Sequence, residues 1–224
     1  MDEDLIHFNR KGGFASIDLD VSSLNRLAKE LTKYPVHAQD ILQKSLGTGR
    51  RRLVRALPPA ASSEYSILPG QVRRSLQSRG VRQVAKGASF GLEVRGPGLN
   101  LADFSHYPTV PQGRQGIPMV AVRRGPFQML RSRQGEDGRL KPAFLARNGN
   151  RADSRYIYFR RTGVLRLGKN REKITAIQSV SIPQMVQNPQ VEGPLLSAVN
   201  GAVDNKMNRE LDILLSRMKG AVEE

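Results

Sequence analysis

The chain of 224 residues contains no cysteine and no tryptophan. Without cysteine there is no disulfide framework, no thiolate nucleophile and no cysteine-ligated zinc or iron–sulfur centre, and the composition is compatible with a reducing cytoplasm. No apolar run approaches the ~18 residues that a transmembrane helix needs. The start, MDEDLIHF, is acidic, whereas a signal peptide begins with a basic region. We therefore expect neither a signal peptide nor a membrane-embedded protein.

Apolar residues make up only 38% of the chain, alongside 21 glycines and 13 prolines. This composition predicts a modest core and long loops. The chain length allows one large domain with a core of its own. We expect some of the order to depend on partners.

The positive charge is concentrated in the middle of the chain. Residues 41 to 175 hold 27 Lys/Arg against seven Asp/Glu, whereas residues 1 to 40 and 176 to 224 each carry a net charge of −2. A basic body of this kind attracts polyanions. Nucleic acid and acidic protein surfaces both remain possible partners.

The sequence contains no recognised catalytic motif, although residue counts alone leave a Ser/His/Asp triad open. His7, His37 and His106 lie in three unrelated contexts without HxxxH or HExxH spacing, and no GxSxG elbow is present. The segment GKNREK lacks the preceding glycine of a phosphate-binding loop, and it also lacks the Ser/Thr that follows the lysine in such a loop. Acidic residues in the basic region are few and scattered, so this region offers few ligands for the metal ions of a nuclease. We expect no enzyme activity, no metal and no cofactor.

Two helices are predicted in the first quarter of the chain. The first covers about residues 22 to 34, and Pro35 ends it. The second covers about residues 35 to 57 and is closed by Pro58 and Pro59. Its apolar face consists of Ala38, Leu42, Leu46, Gly49, Leu53 and Leu57. Glycines within it predict a kink or a close helix crossing near residues 47 to 49.

Further along, YSILPGQVRRSL predicts a turn into a short helix, and VRQVAKGASFGLEVRG predicts two strands joined by a turn at Lys86 and Gly87. The Pro/Gly-rich segment from 96 to 118 is predicted to be a long loop or an extended crossing segment. Strands are predicted at 119 to 125, 140 to 147, 155 to 163 and 173 to 182. Of these, YIYFRR is expected to be a central strand, and Pro183 is expected to end the last one.

A long amphipathic helix is predicted at the C-terminus. Pro194 is costly deep inside a helix, so the regular part is expected to start near Gly193, after one separate turn. The apolar stripe consists of Leu195, Val199, Val203, Met207, Leu211, Leu214 and Leu215. It is expected to pack on the sheet of its own chain, with some subunit contact.

Together these elements predict an α+β fold, in which N-terminal helices and a long C-terminal helix pack on a mostly antiparallel β-sheet with long loops. We expect a single domain over residues 1 to 224. Its parts are a helical segment at 1 to 60, a basic β-rich segment at 61 to 182, and a turn and helix at 183 to 224.

The densest group of charges is RRRLVR, with Arg50, Arg51, Arg52 and Arg55. These residues can face DNA phosphates in a sequence-independent contact that weakens with salt, or they can contact an acidic partner. They can equally form a solvated helix face or an inter-subunit ion-pair surface. Aromatic residues beside arginines in RYIYFRR permit base stacking, but at strand spacing we favour core positions.

The order of segments in the second half resembles a known family. PAFLAR, a polar glycine-containing loop, YIYFRRTGVLRLGKNREKITAIQSVSIPQMVQNPQV and then a long amphipathic helix are similar to the C-terminal half of the tailed-bacteriophage minor tail protein Z, or tail-completion, family. In that family the last strand closes on a motif close to G-P-S-V-P-Q-M. The matching residues here are Ser181, Ile182, Pro183, Gln184 and Met185. Ser179-Val180 replaces the usual Gly-Pro, which favours a straighter strand. The motif match covers about residues 140 to 215, and the layout matches over most of the chain.

The resemblance implies a structural protein of the virion tail, assembled in the host cytoplasm and placed where the tail meets the head and neck. It implies a homo-oligomeric ring, for which a hexamer is one arrangement, near the DNA path. The implied partners are tail terminator, tail tube or neck proteins, together with non-specific contact to phage DNA. The competing interpretations are a stand-alone nucleic-acid-binding protein and, on charge alone, a nuclease.

Overall fold

The computed structural model describes residues 13–18, 29, 35–86, 89–111, 117–151 and 153–220. The helix predicted over 22 to 34 therefore lies outside the described residues, apart from Lys29. Four helices are described, and they are α1 (Pro35–Glu64), α2 (Pro69–Arg79), α3 (Ile182–Val186) and α4 (Pro189–Gly220). A 3-10 turn occupies Leu101–Asp103.

The described strands are short. In chain order they are β1 (Gly13–Asp18), β2 (Val81–Lys86), β3 (Ser89–Gly96), β4 (Gly98–Asn100), β5 (Ser105–Tyr107), β6 (Met119–Ala121), β7 (Gln128–Met129), β8 (Arg133–Gln134), β9 (Leu140–Lys141), β10 (Ala143–Arg147), β11 (Tyr156–Leu165), β12 (Glu172–Ala176) and β13 (Gln178–Ser181).

The α+β prediction is confirmed, and every described strand pair is antiparallel. Within the described residues, the strands form five small sheets with orders β1-β3-β2, β10-β11-β12, β13-β4, β5-β6-β7 and β8-β9. The β2–β3 hairpin has the predicted position, since Lys86 pairs with Ser89. β11 is central in its sheet, as predicted.

The two long helices, α1 and α4, pack antiparallel to each other. Lys44 near the start of α1 lies 3.9 Å from Glu210 near the end of α4, and Tyr65 just after α1 accepts a hydrogen bond from Asn188 just before α4. The helices approach closely at Gly49, where an added Cβ would lie 2.6 Å from Val203 Cγ2. The close crossing predicted from the glycines of α1 is thus confirmed.

The core lies between these helices and the sheet β1-β3-β2, which α1, α2 and α3 contact. Contrary to the prediction, the sheet is not the main contact of α4, because α4 packs mainly along α1. Both predicted apolar faces are confirmed, because their central residues are buried. These residues are Leu42, Leu46, Leu53 and Leu57 on α1 and Leu195, Val199, Val203, Met207 and Leu211 on α4.

One predicted boundary of each long helix was wrong, namely the C-terminal boundary of α1 and the N-terminal boundary of α4. α1 continues through Pro58 and Pro59 to Glu64, and α4 starts at Pro189 with Pro194 inside it. An interior proline costs about 3 kcal/mol through a lost N–H and a ring clash. In α1 the residues beyond the prolines bury Ala61 and then Tyr65 in the core, and this burial offsets the cost.

Two predictions for the β-rich part were also wrong. The segment from 96 to 118 contains β4, the 3-10 turn and β5. The strand predicted at 173 to 182 is divided at Ile177 into β12 and β13, which belong to different sheets. Ile177 bonds elsewhere, as its N–H donates to Tyr158 O (2.8 Å) and its carbonyl accepts from Leu101 N–H (3.2 Å). Ser179 and Val180 lie in β13, whose pairing with β4 shifts register between Gln178 and Ser181, so the straighter strand expected there is not formed.

Strands predicted at 119 to 125 and 140 to 147 are also shorter than expected. The first ends at Ala121. The second is interrupted at Pro142, which has no N–H to donate to a ladder.

Candidate interaction site

The arginine cluster lies on the solvent-facing side of α1. All four of its members are exposed, namely Arg50, Arg51, Arg52 and Arg55. Arg51 donates a hydrogen bond to the Thr48 hydroxyl (3.1 Å). Within the described part of the chain, none of the four forms an ion pair with a carboxylate. Among the described residues, the positive charge of these four side chains is therefore not balanced by a carboxylate.

Two of these arginines border a concave groove between α1 and α4, which we call the arginine groove. Its volume is about 360 Å³, and it is lined by Arg52, Arg55, Ala56, Pro59, Ala60, Pro194 and Leu195. Two kinds of residue line it. We call its apolar residues the floor of the groove, and we call the exposed Arg52 and Arg55 its rim. Pro59 and Pro194, predicted to lie at the helix boundaries, are both inside helices and both line the groove.

The motif residues Ser181 to Met185 form the junction between β13 and α4. Ser181 caps α3, since its hydroxyl accepts from Gln184 N–H (3.3 Å) while Gln184 Oε1 accepts from Ser181 N–H (2.8 Å). This reciprocal pair is a capping box. Ile182, Pro183 and Met185 are buried. The turn predicted at the start of the segment from 183 to 224 is thus a short helix with a structural role.

A buried polar network centred on Asn100 was missed by the sequence analysis. Asn100 Nδ2 donates to the carbonyl oxygens of Tyr158 (3.1 Å) and Ile177 (2.9 Å). Asn100 Oδ1 accepts from the N–H groups of Tyr158 (2.9 Å) and Ala102 (3.0 Å). One side chain thereby joins β4 to β11 and to the break between β12 and β13. The only signal in the sequence was an Asn three residues before an Asp, which is typical of a capped turn.

Asp103 extends this network to the surface. Its Oδ2 accepts from Asn100 N–H (2.9 Å), and its Oδ1 is paired with the guanidinium of Arg155. Asp103 is buried, whereas Arg155 is largely exposed. Both oxygens of the buried carboxylate therefore have partners within the protein, so its role is structural.

Two aromatic residues of β11, Tyr158 and Phe159, occupy core positions, as favoured above, whereas Tyr156 is only partly buried. Tyr158 is fully buried, and its ring meets the edge of His106 with a centroid distance of 5.5 Å. Burial raises the pKa of Tyr158 to about 12. Phe159 stacks on Phe144 with ring centroids 6.1 Å apart. Tyr158 and Phe159 are not available for base stacking.

The histidines are not brought together. His106 Nδ1 donates to Phe104 O (2.8 Å), His37 is exposed on α1, and His7 lies outside the described residues. In the described ranges, no group of three or more His, Asp or Glu residues is arranged to hold a metal ion. No helix in that part of the chain combines the length and apolar character needed to cross a bilayer.

A second ion-pair cluster stabilises the β8–β9 hairpin against β12. Lys141 is buried and lies 2.7 Å from Asp137 and 2.8 Å from Glu172. Hydrogen bonds to Asp137 and then Glu172 raise the pKa of Lys141, and the hydrogen bond from Lys141 lowers the pKa of Asp137. Gly163, at φ +85°, leaves room for this carboxylate, because a Cβ there would lie 2.6 Å from Asp137 Oδ1. The cluster is structural.

A row of apolar side chains crosses the outer face of the sheet β5-β6-β7. Tyr107 pairs with Met119, and Met119 pairs with Met129. Tyr107 is 54% exposed and Met129 is 59% exposed. The neighbouring Phe127 is 50% exposed. We call Tyr107, Met119 and Met129 the apolar row.

Comparisons with protein-family models, with curated proteins and with solved structures found no match for this chain.

Proposed function

We propose that the chain is a structural virion protein of a tailed phage, a tail-completion or minor tail protein at the head-proximal end of the tail. The observation that carries the proposal is the Ser181–Met185 junction. It is a capped, buried link between a small antiparallel sheet and the long final helix. This is the order of elements in which the resembling family places its Pro-Gln-Met motif. In this proposal the protein works through its surfaces, as one subunit of a ring near the DNA path.

The apolar row supports a role in assembly. Large apolar side chains that lie next to one another on an exposed sheet face often mark an interaction site. Tyr107 and Met129 remain exposed although the opposite face of the same strands buries Val120. The row therefore offers a surface for a neighbouring subunit, a tail terminator, a tube subunit or a neck protein.

The test is made on phage particles produced by the genome that encodes this chain. We expect mass spectrometry to detect the chain in purified tails, and we expect deletion of its gene to leave heads and tails unjoined. Complementation by the intact gene should restore joined particles. Absence of the chain from purified particles, with joining unaffected by the deletion, would contradict the structural role.

A second candidate function is stand-alone binding of nucleic acid, favoured by the uncompensated arginines on α1. Phosphate contacts release counterions, so affinity for duplex DNA should fall linearly on a log–log plot against salt concentration. Reversal of all four arginines, R50E, R51E, R52E and R55E, should reduce the steepness of that dependence. Reversal of Arg73 and Arg74, which are exposed on α2, is the control for a pair of charges elsewhere. Absence of salt-dependent binding would exclude this function.

We propose no catalytic activity for the chain. Duplex DNA incubated with the purified protein and either magnesium or manganese should remain intact, as judged by gel electrophoresis. Cleavage that co-purifies with the protein and is lost on adding a chelator would contradict the proposal.

A further inference from the structure

The arginine groove differs from a general basic surface in its shape and its floor. Two guanidinium groups, from residues one helical turn apart, lie on the rim of a concavity of about 360 Å³. The concavity is open to solvent, and its volume is at the lower end of the range of about 300–1,000 Å³ that is usual for ligand-binding clefts. The floor is made by alanine, proline and leucine side chains and supplies apolar contact.

The charge of the groove is not balanced within the described part of the chain. Arg52 and Arg55 form no ion pair there, and neither does Glu192, an acidic residue close in sequence to Pro194. Guanidinium groups bind carboxylates through two parallel hydrogen bonds, and such pairs are stronger than neutral hydrogen bonds. A complementary occupant therefore brings carboxylates to the rim.

The apolar floor adds a second requirement. A carboxylate alone would leave the exposed surface of Pro59 and Pro194 in contact with water. A peptide with an apolar side chain between acidic residues covers the floor and pairs with both arginines. The phosphates of a DNA duplex can contact the rim. The duplex backbone, however, carries no side group that could fill the groove.

We propose that the arginine groove is a docking site for an acidic peptide segment of a partner protein, with one apolar side chain anchored on the groove floor. Arg52 and Arg55 bind the carboxylates that flank the anchor. Arg50 and Arg51 lie outside the lining of the groove and contribute only long-range attraction. The site does not depend on the virion role proposed above, because it can be measured on the purified chain.

The experiment measures the fluorescence anisotropy of a labelled decapeptide in which a central Leu-Phe pair is flanked by Asp and Glu residues. The double variant R52E/R55E should weaken binding at least about tenfold, because two attractive charges become repulsive. The variant R73E/R74E has the same change in net charge at a distant exposed site and should stay within about twofold of the wild type. Replacing the Leu-Phe pair by Gly-Gly should also weaken binding. Circular dichroism verifies folding, and R52Q and R55Q provide milder changes at the same sites.

Three results would overturn the proposal. Equal weakening by R52E/R55E and R73E/R74E would show attraction by net charge alone. Equal affinity for the Leu-Phe and Gly-Gly peptides would show that the floor is not used. Failure of the peptide to bind, with duplex DNA binding that depends on Arg52 and Arg55, would assign this face to nucleic acid. If the chain is absent from phage particles while peptide binding meets all expectations, only the virion role fails.

Discussion

The side-chain amide of Asn100 is hydrogen-bonded to the main chain of Tyr158 in both directions, with Nδ2 donating to the carbonyl oxygen (3.1 Å) and Oδ1 accepting from the N–H (2.9 Å). A side chain thus satisfies main-chain groups that a neighbouring strand would otherwise pair. These hydrogen bonds lie at the position where β12 ends and β13 begins to pair in a different sheet. Buried main-chain groups require such partners, so the division of the predicted strand depends on this residue.

We therefore expect Asn100→Ala to lower the free energy of unfolding by about 2–4 kcal/mol. The buried N–H of Tyr158 loses its acceptor, and the carbonyl oxygens of Tyr158 and Ile177 each lose one of two donors. Urea denaturation measures the change. Asn150 is exposed, and Asn150→Ala should change stability by less than about 0.5 kcal/mol. A similar small loss for both variants would contradict the proposed role of Asn100.

Two helical glycines should respond to alanine with opposite signs. At Gly49 a new Cβ would lie 2.6 Å from Val203 Cγ2, whereas at Gly201 nothing lies within 4 Å. We expect Gly201→Ala to stabilise by about 0.5–1 kcal/mol through helix propensity. Gly49→Ala should destabilise by about 1–2 kcal/mol, since overpacking exceeds that gain.

Thermal and urea denaturation give both values. The double variant Gly49→Ala with Val203→Ala provides a further check, because removal of the valine methyl groups leaves room for the new Cβ. Its loss of stability should be smaller than the sum of the two single losses. Additive losses would show that the helices do not meet at this pair.

Tyr158 should make stability depend on alkaline pH. Burial raises its pKa to about 12, whereas the phenol of the unfolded chain ionises near pH ~10. Between these values the folded state binds more protons than the unfolded state, so stability falls as pH rises. Below pH ~10 this contribution is fully present.

Urea midpoints from pH 8 to 12 for the wild type and for Tyr158→Phe provide the measurement. The variant should lack the part of the alkaline loss that is due to this phenol, so its curve should be flatter. Tyr107→Phe, at an exposed tyrosine, is the matched control and should follow the wild type. Parallel curves for the wild type and Tyr158→Phe would contradict the prediction.

The apolar row should matter for association and little for folding. Met129 is 59% exposed, so Met129→Gln should change the free energy of unfolding by less than about 0.5 kcal/mol. If the row contacts neighbours, the same variant should reduce incorporation of the chain into particles, measured by quantitative mass spectrometry. Gln128→Asn, at the adjacent exposed position, is the control. Unchanged incorporation of the Met129 variant would assign the row to the solvent surface.

Local patterns predicted much of the architecture. The spacing of Leu53 and Leu57, and of Val199 and Val203, specified the buried faces of α1 and α4, because helical periodicity places such residues on one side. The glycines of α1 predicted the close crossing. The hairpin formed by β2 and β3 was also predicted, since a short turn between two strand-like segments fixes their register.

Proline positions were less informative than their local cost suggested. Pro58, Pro59 and Pro194 all lie inside helices, because burial of neighbouring residues compensates for a lost hydrogen bond. No single-sequence rule reports that compensation, since the buried area depends on the partner helix. The arginine groove could not be predicted either, because it too depends on how the two long helices pack. Arg52 and Arg55 were visible as a charge cluster, but the floor beneath them combines residues from both ends of the chain.

By itself the sequence determined the α+β class, the apolar faces of the long helices and the exposed basic face of α1. It also determined that the last strand ends at Ser-Ile-Pro-Gln-Met, before the final helix. These features follow from interactions between residues a few positions apart. The tertiary structure alone decided where the last strand divides, what Asn100 joins, that Lys141 is held by two carboxylates, and that two prolines line one groove. Each of these depends on contacts between distant segments, whose energies local spacing does not encode.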